Sequence, residues 1–228
     1  IDVIPFIPVL NTTIEECAEL AFEVGKALAQ RFKLPVYLYG EATKERRKLS
    51  ELRKYGFEGL AKLMKELKPD FGSPRPHPTA GTCAVGARKP LIAFNVNLGS
   101  NDLEIAKKIA KAIRASSGGL PCVQALGIKL ESKGLVQVSM NLVDYEITSI
   151  AKAFEAVKAE AGKYSVEVIG SEIVGLVPLN ALIDVAKYYL QLENFSSSRI
   201  LRREFGRIKN ENCNERVEKN IKKIRSIA

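Results

Sequence analysis

Segments typical of strands and segments typical of helices alternate along most of this chain, and that alternation limits the folds open to it. The runs IDVIPFIPV, LPVYLYGEA and PLIAFNVNL are short and largely apolar, as strands are. Between the first two lies NTTIEECAELAFEVGKALAQRF, in which apolar residues recur at helical spacing behind a Thr–Glu capping pattern. The alternation predicts a two-layer α/β fold in which helices pack on sheets.

The pattern occurs twice, on either side of a hinge near residues 88–91. In the second half, NDLEIAKKIAKAIRASS, SIAKAFEAVKAEAGKY and NALIDVAKYYLQLE have helical spacing, and SVEVIGSEIVGLVP is typical of a buried strand followed by a glycine-bearing turn. The pattern therefore predicts two groups of strands and helices. A basic, helical tail over residues 196–228 is expected to follow.

Most of the positive charge lies in that tail. Of the net charge of +9, six units fall within residues 199–225, where ten Lys or Arg residues accompany four Glu. The tail offers only Phe205 for stacking on bases, so nucleic-acid binding is an unfavoured hypothesis. A solvated helix, or steering of an anionic small molecule toward the body of the protein, explains the charge as well.

Histidine and cysteine usage argues against a metal site. The chain has one histidine, and its four cysteines, at positions 17, 83, 122 and 213, are too far apart for metal-ligand spacing. We expect reduced thiols, with a Cys83–His77 nucleophile pair as a weak alternative. No apolar run approaches the roughly 20 residues that span a bilayer, and no secretory leader is recognised, so a cytoplasmic protein without a membrane partner is expected.

The segment FGSPRPHPTAGTC, residues 71–83, is a long loop restrained by prolines and punctuated by glycines. It contains the only histidine, His77, and histidine is the side chain most suited to proton transfer near neutral pH. From the residues alone, two interpretations stay open. The loop is either a connector between two layers or a binding loop whose backbone groups are pre-positioned for a ligand.

Two acidic residues near strand ends are also ambiguous. Glu172, in GSEIVGLVP, is charged among apolar neighbours, and is either a solvent-facing strand residue or a hydrogen-bonding group in a ligand cleft. Asp144, in NLVDYE, is either a helix N-cap or a similar functional group.

Taken together, five motifs in this order resemble the formiminotransferase family: DVIPFIPV, PVYLYGEA, KPDFGSPRPHPTAGTCAVGARKPLIAFNVNL, QVSMNLVDYEIT and GSEIVGLVPLNAL. The resemblance runs from residue 1 to about residue 192. It implies two similar α/β subdomains, each a β-sheet covered by helices, over residues 1–89 and 90–195, with a ligand cleft between them, usually in a homodimer. It also implies transfer of a formimino group from N-formimino-L-glutamate to N5 of tetrahydrofolate, without a metal, in histidine degradation and one-carbon metabolism.

The resemblance also implies site residues. Its folate-binding loop corresponds to Gly72, Ser73, Pro74, Arg75, Pro76, His77, Pro78, Thr79, Ala80 and Gly81. On that assignment His77 holds folate rather than moving protons. Arg88 and Lys89, beside the hinge, are candidates for binding the substrate carboxylates, with solvated surface charge as the alternative. Glu172 is a candidate for bonding the pterin or the formimino group.

The family's catalytic histidine lies in an HPR-G motif a few residues before DVIPFIPV, upstream of Ile1. The catalytic residue is therefore not assigned within this sequence. Three expectations follow: a longer natural polypeptide, a separate chain that supplies the missing segment, or a folate-binding module without catalysis.

Overall fold

The computed structural model describes residues 3–9, 11–56, 58–196 and 199–200. The chain divides after Lys89 into two compact units, the second beginning at Pro90. The basic helix expected in the tail lies outside the described residues, apart from Arg199 and Ile200, and so does Cys213. Within the described residues, no helix combines the length and the apolar character needed to cross a bilayer.

The described part of the first unit has a parallel sheet in the strand order β1-β3-β2. Its strands and helices are, in chain order, β1 (Val3–Phe6), α1 (Ile14–Phe32), β2 (Val36–Gly40), α2 (Leu49–Leu52), α3 (Leu60–Glu66) and β3 (Cys83–Ala87). Helix α1 begins at the predicted capping box, in which the side chain of Thr13 accepts from the Glu16 amide and Glu16 accepts from the Thr13 amide.

Both faces of this sheet are buried. On one face, Val36, Leu38 and Val85 pack with buried residues of α1, while on the other Tyr37 and Tyr39 pack with α3. The almost continuous apolar run of β2 follows from this double burial. Within the described part of the chain, β1 lies at an edge of the sheet and pairs with one neighbour only. Pro5, which has no N–H, is tolerated there because an edge strand does not need every amide for pairing.

β3 is the central strand, although the sequence predicts no strand there and its first residue, Cys83, falls within the predicted loop of residues 71–83. The segment CAVGA is made mostly of small residues and follows directly on a Pro- and Gly-rich stretch, so neither strand propensity nor length distinguishes it. Its pairing with both β1 and β2 buries all five residues. Tertiary pairing, rather than local preference, makes this segment a strand.

The second unit has an antiparallel sheet in the strand order β5-β6-β4-β7. Its strands and α-helices are, in chain order, β4 (Ile92–Leu98), α4 (Leu103–Ile113), β5 (Val123–Leu130), β6 (Leu135–Leu142), α5 (Ile150–Gly162), β7 (Val168–Val174) and α6 (Leu179–Leu190).

The two faces of the second sheet differ in polarity because side chains alternate along each strand. One face is apolar and packs against α4 and α5, with Phe94, Val96 and Met140 among its buried residues. The opposite face carries amide, hydroxyl and carboxylate side chains, namely Asn95, Asn97, Gln137, Ser139, Asn141 and Glu172. The side chains of this sheet that can bind a ligand through hydrogen bonds therefore lie on the polar face.

One sequence expectation about this unit is wrong, and one of two interpretations left open is excluded. β7 is not a buried strand: it lies at the edge of the sheet, and four of its seven residues are exposed. Asp144 is not a helix cap, because Ser149 caps α5. Asp144 instead accepts a hydrogen bond from the Glu146 amide and closes the turn after β6.

Candidate functional site

The loop of residues 71–83 is fastened at both ends to the chain that leads into β2. The Val36 amide donates to the Phe71 carbonyl at 2.9 Å, and the Thr82 hydroxyl donates to the Pro35 carbonyl at 2.8 Å. At Gly72, φ is +86° and a Cβ would lie 2.9 Å from the Leu34 carbonyl oxygen, so only glycine fits there. The loop therefore leaves and rejoins the sheet at one place.

A tight turn from His77 to Gly81 shapes the second half of the loop. The His77 amide donates to the Gly81 carbonyl at 2.7 Å, and the Gly81 amide donates back to the His77 carbonyl at 2.9 Å. Gly81 is buried and has a positive φ of 67°, which suits glycine. These two bonds fix the direction in which residues 77–81 run.

The imidazole of His77 completes this turn. Its Nδ1 lies 3.1 Å from the Ala80 amide nitrogen and 3.3 Å from the Thr79 amide nitrogen, and both amides can only donate. Nδ1 is therefore an acceptor, and in the neutral ring the proton is on Nε2. Within the described residues, the hydrogen bonds of this ring all involve Nδ1. They support a part for the ring in shaping the loop.

Most of the predicted loop residues are accessible. Gly72, the Ser-Pro-Arg-Pro stretch, Pro78 and Thr79 are exposed, while His77 and Ala80 are half-buried. A segment with firmly held ends and exposed, proline-stiffened residues is suited to binding a ligand because little of its freedom is lost on contact. A folate-binding role for residues 72–81 stays a prediction.

Arg88 and Lys89 lie at the opposite end of β3 from this loop. The strand has five residues, so at about 3.3 Å per residue it separates the two by about 16 Å. Arg88 is half-buried, donates from Nη1 to the Lys89 carbonyl at 3.0 Å and bonds the Tyr39 hydroxyl. Burial raises the pKa of Tyr39, while Arg88 acts to lower it. Arg88 is thus held in place, unlike a freely solvated surface charge.

Glu172, in the second unit, accepts two hydrogen bonds on one oxygen. Its Oε1 lies 3.1 Å from Nδ2 of Asn95 and 2.9 Å from Nε2 of Gln137. Gln137 Nε2 also donates to Oδ1 of Asn97 at 2.8 Å. The donors from Asn95 and then Gln137 lower the pKa of Glu172 from its ordinary value, since they stabilise the ionised form. We call these four residues the amide–carboxylate cluster.

Glu172 is predicted as a candidate from the sequence, whereas its hydrogen-bond partners are not. Asn95 and Gln137 are 8% and 1% exposed, and the Oδ1 atom of Asn95 is buried without a hydrogen-bond partner. The signal was present as amide and hydroxyl side chains at alternate positions, in NVN on β4 and QVSMN on β6, which place polar groups on one face. The sequence predicts these segments as strands but assigns no function to the polar side chains on one face.

Among the described residues, Cys83 does not form a nucleophilic site with His77. Cys83 is fully buried on β3, and this burial raises its pKa to about 11, so the group is a thiol rather than a thiolate at neutral pH. Cys17, Cys83 and Cys122 are unpaired, as expected. The Cys83–His77 alternative loses its physical basis, because Nδ1 of His77 bonds the loop backbone.

The predicted site residues thus form three groups: the loop at the amino end of β3, Arg88–Lys89 at its carboxyl end, and Glu172 on the second sheet. Elsewhere in the second unit, a cavity of about 280 Å³ is lined by α6 residues and by Tyr145 and Glu146, and none of the predicted residues contributes to it. No group of three His, Cys, Asp or Glu residues within the described ranges is arranged to hold a metal ion.

Both units match known families. Residues 1–88 match the formiminotransferase domain, N-terminal subdomain, and residues 93–221 match the formiminotransferase domain. Over 198 residues the chain is 49% identical to a glutamate formimidoyltransferase of Streptococcus pyogenes serotype M1, covering 85% of this chain and 66% of that protein. A glutamate formimidoyltransferase of Thermoplasma acidophilum is 48% identical over 215 residues, covering 92% of this chain and 71% of that protein.

A formimidoyltransferase-cyclodeaminase of Sus scrofa is 44% identical over 204 residues, which cover 85% of this chain and 38% of that protein. The chain therefore spans about two thirds of the length of the two glutamate formimidoyltransferases and less than half of the formimidoyltransferase-cyclodeaminase.

Proposed function

The chain belongs to the formiminotransferase family, and from this premise we propose that it transfers a formimino group from N-formimino-L-glutamate to N5 of tetrahydrofolate. The observation that carries the proposal is the near-50% identity to two proteins named glutamate formimidoyltransferase. One of those alignments covers 92% of the chain and so includes most of both units. The reaction belongs to histidine degradation and one-carbon metabolism.

The chemistry requires few groups. N5 of the folate attacks the amidine carbon, the bond from that carbon to the glutamate nitrogen breaks, and a proton passes from N5 to the departing amine. A general acid and base assist the proton transfers, and cationic side chains hold the carboxylates. In this chain we assign binding and orientation to the described residues and leave the catalytic residue unassigned.

Residues 72–81 are our proposed folate-binding loop. A folate molecule offers a flat ring system and an anionic glutamate tail. The loop presents exposed prolines, which pack on flat surfaces, and Arg75, which is exposed and cationic. His77 contributes by holding the turn through Nδ1, which is why we assign it to binding rather than to proton transfer.

Arg88 and Lys89 are our proposed groups for substrate carboxylates. Arg88 suits this task because its guanidinium is already oriented by bonds to Tyr39 and to the Lys89 carbonyl. A pre-oriented guanidinium loses less entropy when it binds a carboxylate. Lys89 is exposed and adds a second positive charge beside it.

We further propose a homodimer that works in the cytoplasm. The dimer is what the family resemblance implies, and the unpaired thiols of Cys17, Cys83 and Cys122 support a reducing compartment. Sedimentation velocity at micromolar concentrations tests the first point, since a monomer of 25.1 kDa and its dimer separate clearly.

The decisive experiment measures transfer and folate binding separately. The 228-residue chain is compared with the same chain extended by the upstream segment in which the family resemblance places the HPR-G histidine. Mass spectrometry follows the formimino group on tetrahydrofolate, and calorimetry measures folate binding. Transfer by the extended form supports the proposal. Folate binding by both forms without transfer supports a binding module instead, and failure of both readouts refutes either function.

A further inference from the structure

The polar face of the second sheet contains a buried acceptor that the protein leaves unused. Asn95 is 8% exposed, and its Oδ1 has no hydrogen-bond partner among the described residues, although Nδ2 donates to Glu172. A buried polar atom without a hydrogen bond costs about 1–3 kcal/mol of stability. Native structures tolerate few such atoms, and those that persist are often explained by a ligand or a water molecule.

The hydrogen bonds within the amide–carboxylate cluster limit the chemistry of the ligand that it can bind. Oε1 of Glu172 already accepts from Asn95 and Gln137, and Oδ1 of Asn97 already accepts from Gln137. Among the contacts of the described residues, three acceptors of the cluster are left over: Oε2 of Glu172, Oδ1 of Asn95 and Oε1 of Gln137. Hydrogen-bond donors therefore suit this cluster, and the exposed acceptor belongs to an ionised carboxylate.

A planar cation with adjacent N–H groups suits the ionised carboxylate of Glu172, which is exposed. Carboxylates bind guanidinium groups through two parallel N–H···O bonds, and an amidinium has the same arrangement of donors. The formimino group is an amidine, so it is protonated and planar at neutral pH. It is also the one part of N-formimino-L-glutamate that free glutamate lacks.

We propose that the amide–carboxylate cluster is the subsite that binds the amidinium of the donor substrate. Glu172 makes the charged contact. Asn95 and Gln137 are positioning residues, because they restrain the carboxylate through Oε1 and leave Oε2 for the ligand. The inference rests on the proposed function for the identity of the amidine, while the chemical class of the ligand rests on the cluster itself.

The cluster is rigid enough for such a role. Asn95 faces Glu172 directly across the β4–β7 pair, and Asn97 faces Gln137 across the β4–β6 pair. Gln137 is 1% exposed and bonds residues of two other strands, which fixes its rotamer. The carboxylate is thus oriented by three strands of one sheet rather than by a loop.

The test compares Glu172→Gln with Glu167→Gln. Glutamine at position 172 keeps an oxygen for Asn95 and Gln137 but removes the charge. Glu167 is an exposed glutamate just before β7 whose carbonyl accepts from Gly99, so its substitution is a matched control. Calorimetry measures N-formimino-L-glutamate, glutamate and tetrahydrofolate with each full-length variant. Carboxylate ¹³C spectra follow Glu172 as formamidinium chloride is added.

We expect Glu172→Gln to weaken binding of N-formimino-L-glutamate about tenfold to a hundredfold, as loss of a charged hydrogen bond does. Binding of glutamate and tetrahydrofolate should stay unchanged, as should every affinity of Glu167→Gln. In the unaltered chain, formamidinium should shift the Glu172 carboxylate resonance.

An unchanged affinity for N-formimino-L-glutamate in Glu172→Gln overturns the proposal, and so does a loss confined to tetrahydrofolate. Failure of the proposed function looks different. In that case formamidinium still shifts the Glu172 resonance, but no form of the protein transfers the formimino group.

Discussion

Asn95 and Glu172 lie directly opposite each other on β4 and β7, with Nδ2 of Asn95 3.1 Å from Oε1 of Glu172. The same oxygen accepts from Gln137, whose strand lies on the other side of β4. One carboxylate oxygen is therefore held from two strands, and the ionisation of Glu172 depends on residues far from it in sequence.

Gln137→Met should raise the pKa of Glu172 toward its ordinary value of 4.5, because one of the donors that stabilise the ionised carboxylate is removed. Methionine has a similar length and shape. The measurement is a ¹³C-detected pH titration of the Glu172 carboxylate. Ser139→Ala, two residues along the same strand face, is the control and should leave the titration unchanged.

The same substitution should change how stability depends on pH. A carboxylate whose pKa is lowered by folding contributes stability that is complete above the unfolded value near 4.5 and is lost as pH falls through the folded value. The advantage of the unaltered chain over Gln137→Met should therefore shrink as pH drops below about 4.5. An advantage that grows in acid would contradict this account.

Asp70→Ala should destabilise the first unit by about 2–3 kcal/mol, as loss of hydrogen bonds to a charged group does. Oδ2 of Asp70 accepts from the Leu38 amide at 2.8 Å and from Nη1 of Arg47 at 2.6 Å, and so closes the outer edge of β2. The measurement is urea unfolding.

Glu41→Ala removes a more exposed ion pair, to Arg46 at 3.0 Å, and should cost less than about 1 kcal/mol. An equal loss of unfolding free energy in Asp70→Ala and Glu41→Ala would show that the hydrogen bonds of Asp70 at the edge of β2 add no stability beyond that of an exposed ion pair.

The sequence predicts those features whose causes are local. Thr13 and Glu16 cap α1 from three residues apart, and the double-sided apolar run of β2 shows directly in its residues. Glu172 is predicted as a candidate site residue because it is charged among apolar neighbours in the sequence. Its partners lie 77 and 35 residues away in the chain, so only the strand register brings them together.

Other features depend on tertiary context in the same way. β3 becomes a strand because β1 and β2 flank it, and the Nδ1 bonds of His77 depend on the path of the loop backbone. The prolines and glycines of residues 71–83 predicted the loop, and the resemblance to known sequences supplied its expected folate-binding role. It did not supply the ring's hydrogen bonds, which are a matter of geometry.

Gly86→Ala should disrupt the first sheet, because a Cβ at Gly86 would overlap the Tyr39 carbonyl oxygen and ring. Overpacking of this kind costs about 1–3 kcal/mol. Gly170→Ala is the matched control, since Gly170 also lies in a strand but has nothing within 4 Å of its Cβ position. That variant should be neutral or slightly stabilising. Thermal unfolding followed by circular dichroism compares them, and equal midpoints would refute the argument.

His77→Asn and His77→Ala separate the shape of the loop from proton transfer. The side-chain oxygen of asparagine reaches the place of Nδ1 and accepts from amides two and three residues on, as asparagine does in turns. Alanine offers no acceptor, so the Thr79 and Ala80 amides lose their partner. His77→Ala should therefore weaken tetrahydrofolate binding about tenfold, while His77→Asn should stay within about threefold of the unaltered chain.

Calorimetry measures these affinities, and single-turnover transfer at saturating folate in the extended form measures the chemical step. Both variants should retain most of that rate, because Nδ1 bonds the loop backbone instead of a reacting group. Equal losses of affinity in the two variants would mean that the imidazole itself contacts the ligand. A rate loss of about a thousandfold would identify His77 as a general base, since proton transfer contributes about that much.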